Sequence, residues 1–273
     1  MNKVLLMPKF PFKVPVEAET ITPDNFEGKS LEEIGGFEVW EGHSKVCIKD
    51  LFELKEESSE ISPTVELIGD FSKVRLIGKG MGKGVIMVKG SVGMHLGERM
   101  CGGRIVVEGS VGSWLGGMMK DGMIEVFGDV GDCVGAPYRG GVKGMRGGSI
   151  IVHGNAGYEL GYRMRDGFIQ VDGNVGQFAG AYMGGGTVYI KGQVGGRLGA
   201  CMRDGRIVAL GNIPSILPSF TIDDIRATVK VGNERIKGPF YLFQGDLNEA
   251  GNGRLFIFKD SNTHLSIFEK YLE

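Results

Sequence analysis

Apolar and polar positions between residues 65 and 213 follow one rule that repeats along the chain. Two apolar residues, separated by a single position, precede a glycine: Ile86 and Val88 before Gly90, Ile105 and Val107 before Gly109, Ile124 and Val126 before Gly128. The series continues with Ile150 and Val152 before Gly154, Ile169 and Val171 before Gly173, and Val188 and Ile190 before Gly192. Period-two alternation of β-branched residues predicts a short strand with one apolar face in each unit. Val65 and Leu67 before Gly69 extend the series backwards, and Ile207 and Ala209 before Gly211 extend it forwards. After each glycine the phase persists. Two positions on stand Val92, Val111, Val130, Ala156, Val175 and Val194, and six positions on stand Leu96, Leu115, Val134, Leu160, Ala179 and Leu198. Ten positions on comes a methionine, Met100, Met119, Met164, Met183 or Met202, with Met145 in the same place once an insertion is allowed for.

The glycines keep the same frame, Gly-x-x-Gly-x-x-x-Gly. They are Gly90, Gly93 and Gly97; Gly109, Gly112 and Gly116; Gly128, Gly131 and Gly135; Gly154, Gly157 and Gly161; Gly173, Gly176 and Gly180; and Gly192, Gly195 and Gly199. The period is 19 residues, except for a step of 26 from Gly128 to Gly154, where seven residues are inserted. Self-similarity at such a period is the signature of a solenoid. The expected fold is all-β: a right-handed parallel β-helix of about seven or eight 19-residue coils, with small flanking segments at both ends. Its hand follows from the crossover rule for parallel strands. Coils stacked at about 4.8 Å place equal phases above one another, so the valines, leucines and methionines should form interior ladders. The glycines mark corners that need positive φ or leave no room for a side chain. A fourth glycine row, Gly103, Gly122, Gly148, Gly167, Gly186 and Gly205, closes each coil, often after Asp121, Asp166 or Asp204 in a turn pair.

The organisation that follows is a lead-in over residues 1–64, the β-helix over 65–213 and a capping or wrapping segment over 214–273. Val4 to Met7 reads as a strand, Ser30 with Glu33 as a capping box opening a short helix, and Phe37 to Lys49 as extended chain around a polar turn. The tail carries alternating segments at Thr228 to Val231, Phe240 to Gln244 and Leu255 to Lys259, then a short helix. Both flanks are expected to cap or wrap the solenoid, because an open end leaves an unpaired strand edge.

Composition narrows the function. A 273-residue chain that is 42% apolar can bury a large core, and its formal charge of -2 gives no basic field for nucleic acid. No apolar run is long enough to span a bilayer, and Met1 to Phe10 lacks a signal peptide's apolar stretch, so a cytoplasmic protein is expected. Cys47, Cys101, Cys133 and Cys201 form no Cys-x-x-Cys pair and read as reduced thiols. Gly78 to Gly84 resembles a phosphate-cradling loop but lacks the Gly-Lys-Ser/Thr ending. His43, His95, His153 and His264 show no metal-ligand spacing. No catalytic, cofactor-binding or metal-binding residue is therefore expected in this chain.

Two features point instead to contacts with other chains. Three positions before the first glycine stand Met87, Val106, Glu125, Ile151, Gln170, Tyr189 and Val208, five of them apolar or aromatic and all on the outward face. Such a stripe is usually covered, either by the chain's own termini or by a partner protein. The second feature is the insertion, expected to bulge as an exposed loop from Ala136 to Arg146 with Pro137, Tyr138 and Arg139 at hand; aromatic and arginine side chains dominate interface energetics. Tyr138, Arg139, Ile151 and Tyr189 are the partner-contact candidates.

The 19-residue frame resembles the GXGXG β-helix that forms the C-terminal domain of the large glutamate synthase polypeptide. With the lead-in ITPDNFEGKSLEEIGGFEVWEGHSKVCIKDLFEL, residues 21–54, the fuller resemblance is to the C-subunit family of formylmethanofuran dehydrogenase, over most of residues 15–214. That resemblance implies a non-catalytic scaffold in a carbon dioxide-reducing complex of methanogenic archaea. The cofactors would lie in its partners: a tungsten or molybdenum pterin in the pterin-binding B-subunit, a dinuclear metal site in the amidohydrolase-like A-subunit, and iron–sulfur clusters in ferredoxin-like subunits, alongside the small D-subunit. No catalytic residue is carried over, since none is matched. The alternative is a stand-alone β-helix subunit of an archaeal glutamate synthase. An acyltransferase-like β-helix enzyme would need a six-residue repeat.

Overall fold

A computed structural model describes residues 2–58 and 63–272. Each repeat forms its strand: Thr64–Ile68, Val85–Lys89, Cys101–Val107, Asp121–Val126, Arg146–Val152, Asp166–Val171, Gly184–Ile190 and Asp204–Ala209. Every strand pairs in parallel with the next, equal phases opposite one another, as Ile86 with Ile105, Ile124 with Ile150 and Val188 with Ile207. A second column of parallel bridges runs through Phe71, Val92, Val111, Val130, Ala156, Val175 and Val194. The chain is thus dominated by β-strands on one large parallel sheet, an arrangement compatible with a β-helix.

Packing explains why the phases are so strict. Met100, Met119, Met145, Met164, Met183 and Met202 all have no exposed surface, and Met81 joins them from before the first full repeat. A flexible thioether fills the space left between neighbouring β-branched layers. At Gly173 an added Cβ would stand 2.5 Å from the carbonyl oxygen of Gly154 in the preceding repeat, so only hydrogen allows that approach. At Gly180 φ is +67°, and a Cβ would run into Ile207 Cδ1. Asp121, Asp166 and Asp204 serve their turns, each accepting from the following glycine N–H at 2.7 Å.

One ladder is polar. The backbone N–H of each repeat donates to the side-chain oxygen of the previous one at the residue after the first glycine: Ser110 to Ser91, Asp129 to Ser110, Asn155 to Asp129, Asn174 to Asn155 and Gln193 to Asn174, at 2.7–3.2 Å. These side chains supply acceptors for backbone donors that strand pairing leaves over.

The flanks lengthen the sheet instead of merely capping it. Asn2–Pro8 pairs in parallel with Thr64–Ile68 and antiparallel with Phe52–Ser58. Lys3 and Lys89 clamp the buried Glu66 carboxylate at 2.5 and 2.6 Å. Burial alone would raise the Glu66 pKa, but the two ammonium groups outweigh it and hold it below its usual value. Ser30 caps Leu31–Gly35 with Glu33 completing the box, and Glu38–Glu41 pairs with Ser44–Cys47 around a turn. At the other end Gly253–Phe258 continues the parallel series beside Asp204–Ala209. The hairpin of Thr221–Val231 and Glu234–Gly245 then adds two antiparallel strands, and the tail ends in a 3-10 segment, Thr263–Tyr271. Among the described residues no helix is long and apolar enough to cross a membrane.

Candidate partner-binding surfaces

Strand register places the outward row side by side across the sheet: Glu66, Met87, Val106, Glu125, Ile151, Gln170, Tyr189, Val208 and Phe256 are consecutive neighbours. The expectation of Tyr189 as a partner contact is corrected here. Tyr189 is 4% exposed and Val208 fully buried, packed with Val229, Val231 and Phe240 of the chain's own C-terminal hairpin. The hairpin reaches this face because its pairing shifts register between Ile222 and Asp224 and between Arg226 and Thr228; such irregularities bend and twist a ribbon. Burial raises the Tyr189 hydroxyl pKa. Ile151 remains half-buried and uncovered by the hairpin.

Around Ile151 the face is charged. Arg104 bonds Glu125 at 2.7 Å, Glu125 reaches His153 Nε2 at 3.2 Å, His153 Nδ1 lies 2.8 Å from Asp172, and Lys191 closes the row on Asp172 at 2.8 Å. With a carboxylate at each ring nitrogen, His153 favours its doubly protonated form. Burial works against that charge, yet the bonds to Asp172 and Glu125 raise its pKa overall. Phe127 stacks on the same ring, centroids 4.8 Å apart. The network ties together strands of five successive repeats.

The insertion is narrower than Ala136 to Arg146. Gly144 N–H donates to Arg163 O, the bond that Arg99, Arg163 and Tyr182 make at the same phase of their repeats, and Met145 is back in the interior ladder. The excursion is therefore Pro137 to Lys143. Tyr138 is exposed, and Arg139 with it, while Pro137 is buried at the loop's root. Tyr138 leans on a stacked pair, His95 and Trp114, whose rings are 5.3 Å apart and 8° from parallel. Beneath lies a cleft of about 520 Å³ walled by Trp114, Tyr138, Tyr158 and Tyr162. At its floor the Cys133 thiol donates to Glu159 at 3.4 Å, and burial together with that carboxylate pushes its pKa up to about 12. This thiol is neither a nucleophile nor a ready metal ligand at neutral pH.

Sequence reading missed the row that organises this side. His95, Trp114, Cys133, Glu159, Phe178 and Arg197 stand five positions after the first glycine of their repeats, all with φ between 59° and 64°. Left-handed backbone costs non-glycine residues roughly 1–2 kcal/mol each. It persists because successive N–H groups donate across repeats, His95 to Ser113 O, Trp114 to Asp132 O and Cys133 to Tyr158 O, at 2.8–2.9 Å. The signal was available in the sequence: a residue other than glycine, asparagine or aspartate two positions before the third glycine of every unit.

These features define a class, a mostly β protein with one large parallel sheet whose strands recur with a 19-residue glycine frame. No family model matches the chain. Over 93 residues, 34% of the chain, it is 44% identical to the C-subunit of molybdenum-containing formylmethanofuran dehydrogenase 1 from Methanothermobacter marburgensis. Over 98 residues it is 39% identical to the corresponding polypeptide of Methanosarcina barkeri, and over 99 residues 39% identical to the C-subunit of tungsten-containing formylmethanofuran dehydrogenase 2 from Methanothermobacter thermautotrophicus. The matches span 23%, 33% and 37% of those relatives' own lengths. Among solved structures, a chain of the formyltransferase/hydrolase complex (FhcABCD) from Methylorubrum extorquens, crystallised with methylofuran, matches with a TM-score of 0.81 at 28% identity, over 93% of this chain and 98% of that one. The chain is thus a relative of the formylmethanofuran dehydrogenase C-subunit, as the sequence resemblance implied. Among the described residues no group of three or more His, Cys, Asp or Glu side chains is placed to hold a metal ion.

Proposed function

We propose that this chain is the structural subunit of a complex of the formylmethanofuran dehydrogenase kind, a right-handed β-helix of about seven or eight coils on residues 65–213 with flanks 1–64 and 214–273. The observation that carries this reading is the likeness over 93% of the chain to a chain from a multi-component complex, joined to relatives that are all C-subunits of formylmethanofuran dehydrogenases. In this reading the B-subunit reduces carbon dioxide at a tungsten or molybdenum pterin. The amidohydrolase-like A-subunit joins formate to methanofuran at its dinuclear metal site. The small D-subunit and ferredoxin-like subunits with iron–sulfur clusters complete the assembly. The chain contributes shape: a stiff tube whose faces hold their partners in fixed relation.

A second reading is favoured by one observation. The structural match covers 98% of a chain from a formyltransferase/hydrolase complex, whereas the matches to these three dehydrogenase relatives reach at most 37% of their lengths. The complex would then transfer and hydrolyse formyl groups without reducing carbon dioxide. Purification of the native assembly through a tag on this chain separates the two. Molybdenum or tungsten, iron and carbon dioxide reduction in the purified material support the first reading; formyl transfer without those metals supports the second. A chain that purifies alone from its native host sinks both.

A further inference from the structure

A neutral imidazole has one N–H to give, and His153 faces an acceptor at each of its two ring nitrogens. Glu125 Oε1 stands 3.2 Å from Nε2, and Asp172 Oδ2 stands 2.8 Å from Nδ1. Both bonds exist together only while the ring is an imidazolium, so loss of one proton forces a choice between them. The two carboxylates are not equally able to stay. Asp172 is fixed through its other oxygen, which takes Lys191 at 2.8 Å and Gln170 Nε2 at 2.9 Å. Glu125 has the longer side chain and makes the longer bond to the ring; besides the ring, among the described residues, it is bonded by Arg104, 2.7 Å from Oε2. Two further charges stand close by: Glu234 of the hairpin acts on Lys191, and Glu108 lies beside Phe127 by the register of Val107 with Val126.

We infer that His153 is a proton-operated joint in the outer face: charged, it binds Glu125 and Asp172 at once; neutral, it keeps Asp172 through the Nδ1–H tautomer and sets Glu125 free. With the proton gone from Nε2, a lone pair faces a carboxylate oxygen, and two acceptors repel. The glutamate then turns to Arg104 and solvent. The proton passes directly to water, since the His153 side chain is 33% exposed. Phe127, stacked on the ring and itself exposed, loses the attraction of a cation for its ring face in the same step. The row changes from three cations against two carboxylates to two against two. Backbone pairing beneath is untouched, because His153 N–H donates to Val126 O at 2.9 Å and Asp172 N–H to Val152 O at 2.8 Å whatever the ring's charge. The joint lies on the strand of Ile151, two strands short of the covered Tyr189. Acidity therefore sets what the uncovered half of this face displays, while the fold stays the same. Burial disfavours the charged ring, but the two carboxylates outweigh it and put the change above the ordinary histidine value of 6.5.

The test is a histidine titration of the full chain. With nitrogen-15 in its four histidines, long-range proton–nitrogen correlation follows each ring from about pH 5 to about pH 9. His153 is identified by its contact with the Phe127 ring and by the signal that disappears in His153→Gln. The expected result is both nitrogens protonated at the acid end, a midpoint above 6.5, and the Nδ1–H tautomer at the alkaline end. Asp172→Ala should lower the midpoint by about one unit and turn the neutral ring to the Nε2–H tautomer. Glu125→Ala should lower it by less and leave the Nδ1–H tautomer in place. Circular dichroism should be unchanged in both variants. An Nε2–H tautomer in the unaltered chain overturns the joint, as does a midpoint at or below 6.5 or one that Glu125→Ala does not move. Where a variant fails to fold, the midpoint and tautomer of the unaltered chain decide.

Discussion

Interior and corner of the same repeats obey opposite rules. Ten positions after the first glycine the residue recurs: Met100, Met119, Met145, Met164, Met183 and Met202, all fully buried. Five positions after it only the backbone recurs, with φ near 60° at His95, Trp114, Cys133, Glu159, Phe178 and Arg197. Inside, each side chain touches the layers above and below at close-packed density, so a change of volume is felt at once. At the corner the inter-repeat backbone bonds hold the conformation and the side chain is free to vary. One stack thus separates the positions that make the fold from those that can display chemistry.

The most damaging way to break this contrast is at the glycine that spaces repeats. Gly173→Val sets branched carbon against the Gly154 carbonyl, already 2.5 Å from a bare Cβ; backbone cannot yield as a side-chain tip does, and no soluble folded chain should accumulate in expression trials. Met164→Ala comes next. It empties a fully buried site and should cost about 2–5 kcal/mol in urea unfolding; a loss below about 1 kcal/mol would mean that the methionine ladder does not fill the interior.

On the outer face the same substitution should have two outcomes. Tyr189→Lys puts an ammonium beneath the hairpin, against the apolar side chains of Val229, Val231 and Phe240, and should lower stability by about 3 kcal/mol or more. Ile151→Lys, half-buried and beyond the hairpin, should stay within about 1 kcal/mol. Equal losses in the two unfolding curves would show that the hairpin does not cover this face selectively. At the corners the sign reverses: Arg99, exposed with φ 57°, should become slightly more stable as glycine, by about 0.5 kcal/mol, because relief of the left-handed strain outweighs the added freedom of the unfolded chain.

The smallest effect is pH-dependent. Against burial, which lowers it, the bonds to Asp172 and Glu125 raise the His153 pKa above the ordinary histidine value of 6.5. A raised folded pKa stabilises fully below the unfolded pKa and is lost as pH rises through the folded value. Glu125 and Asp172, both lowered, act in the opposite sense and lose their contribution only in acid, as pH falls through their folded values. The difference in melting temperature between the parent and His153→Gln should therefore be larger at about pH 6 than at about pH 9. A difference that grows toward the alkaline end would rule out the doubly bonded imidazolium.

Much of the fold was legible because identical phases stack. Ile105 predicts its own neighbours, Ile86 and Ile124, and the buried face of every repeat strand could be read from period two alone. The surfaces were legible only in part. Tyr138 and Arg139 stood out as an insertion in a periodic chain, and both are exposed. Tyr189 was misplaced, since nothing in its own repeat says that a hairpin formed by residues 221–245 folds over it. The pairing of Cys133 with Glu159, and of His153 with Glu125 and Asp172, depended on knowing which residues of different repeats become neighbours at each particular phase.

By itself, then, the sequence determined the period, the inward residues, the glycine contacts and the site of the insertion, all consequences of local alternation multiplied by stacking. Tertiary structure alone decided which half of the outer face the C-terminal hairpin covers. It also decided how the two termini enter the sheet as added strands, and how rings and arginines from different repeats converge on one side. Those outcomes depend on segments brought together across distances that no repeat encodes, so no pattern within a single 19-residue unit could announce them.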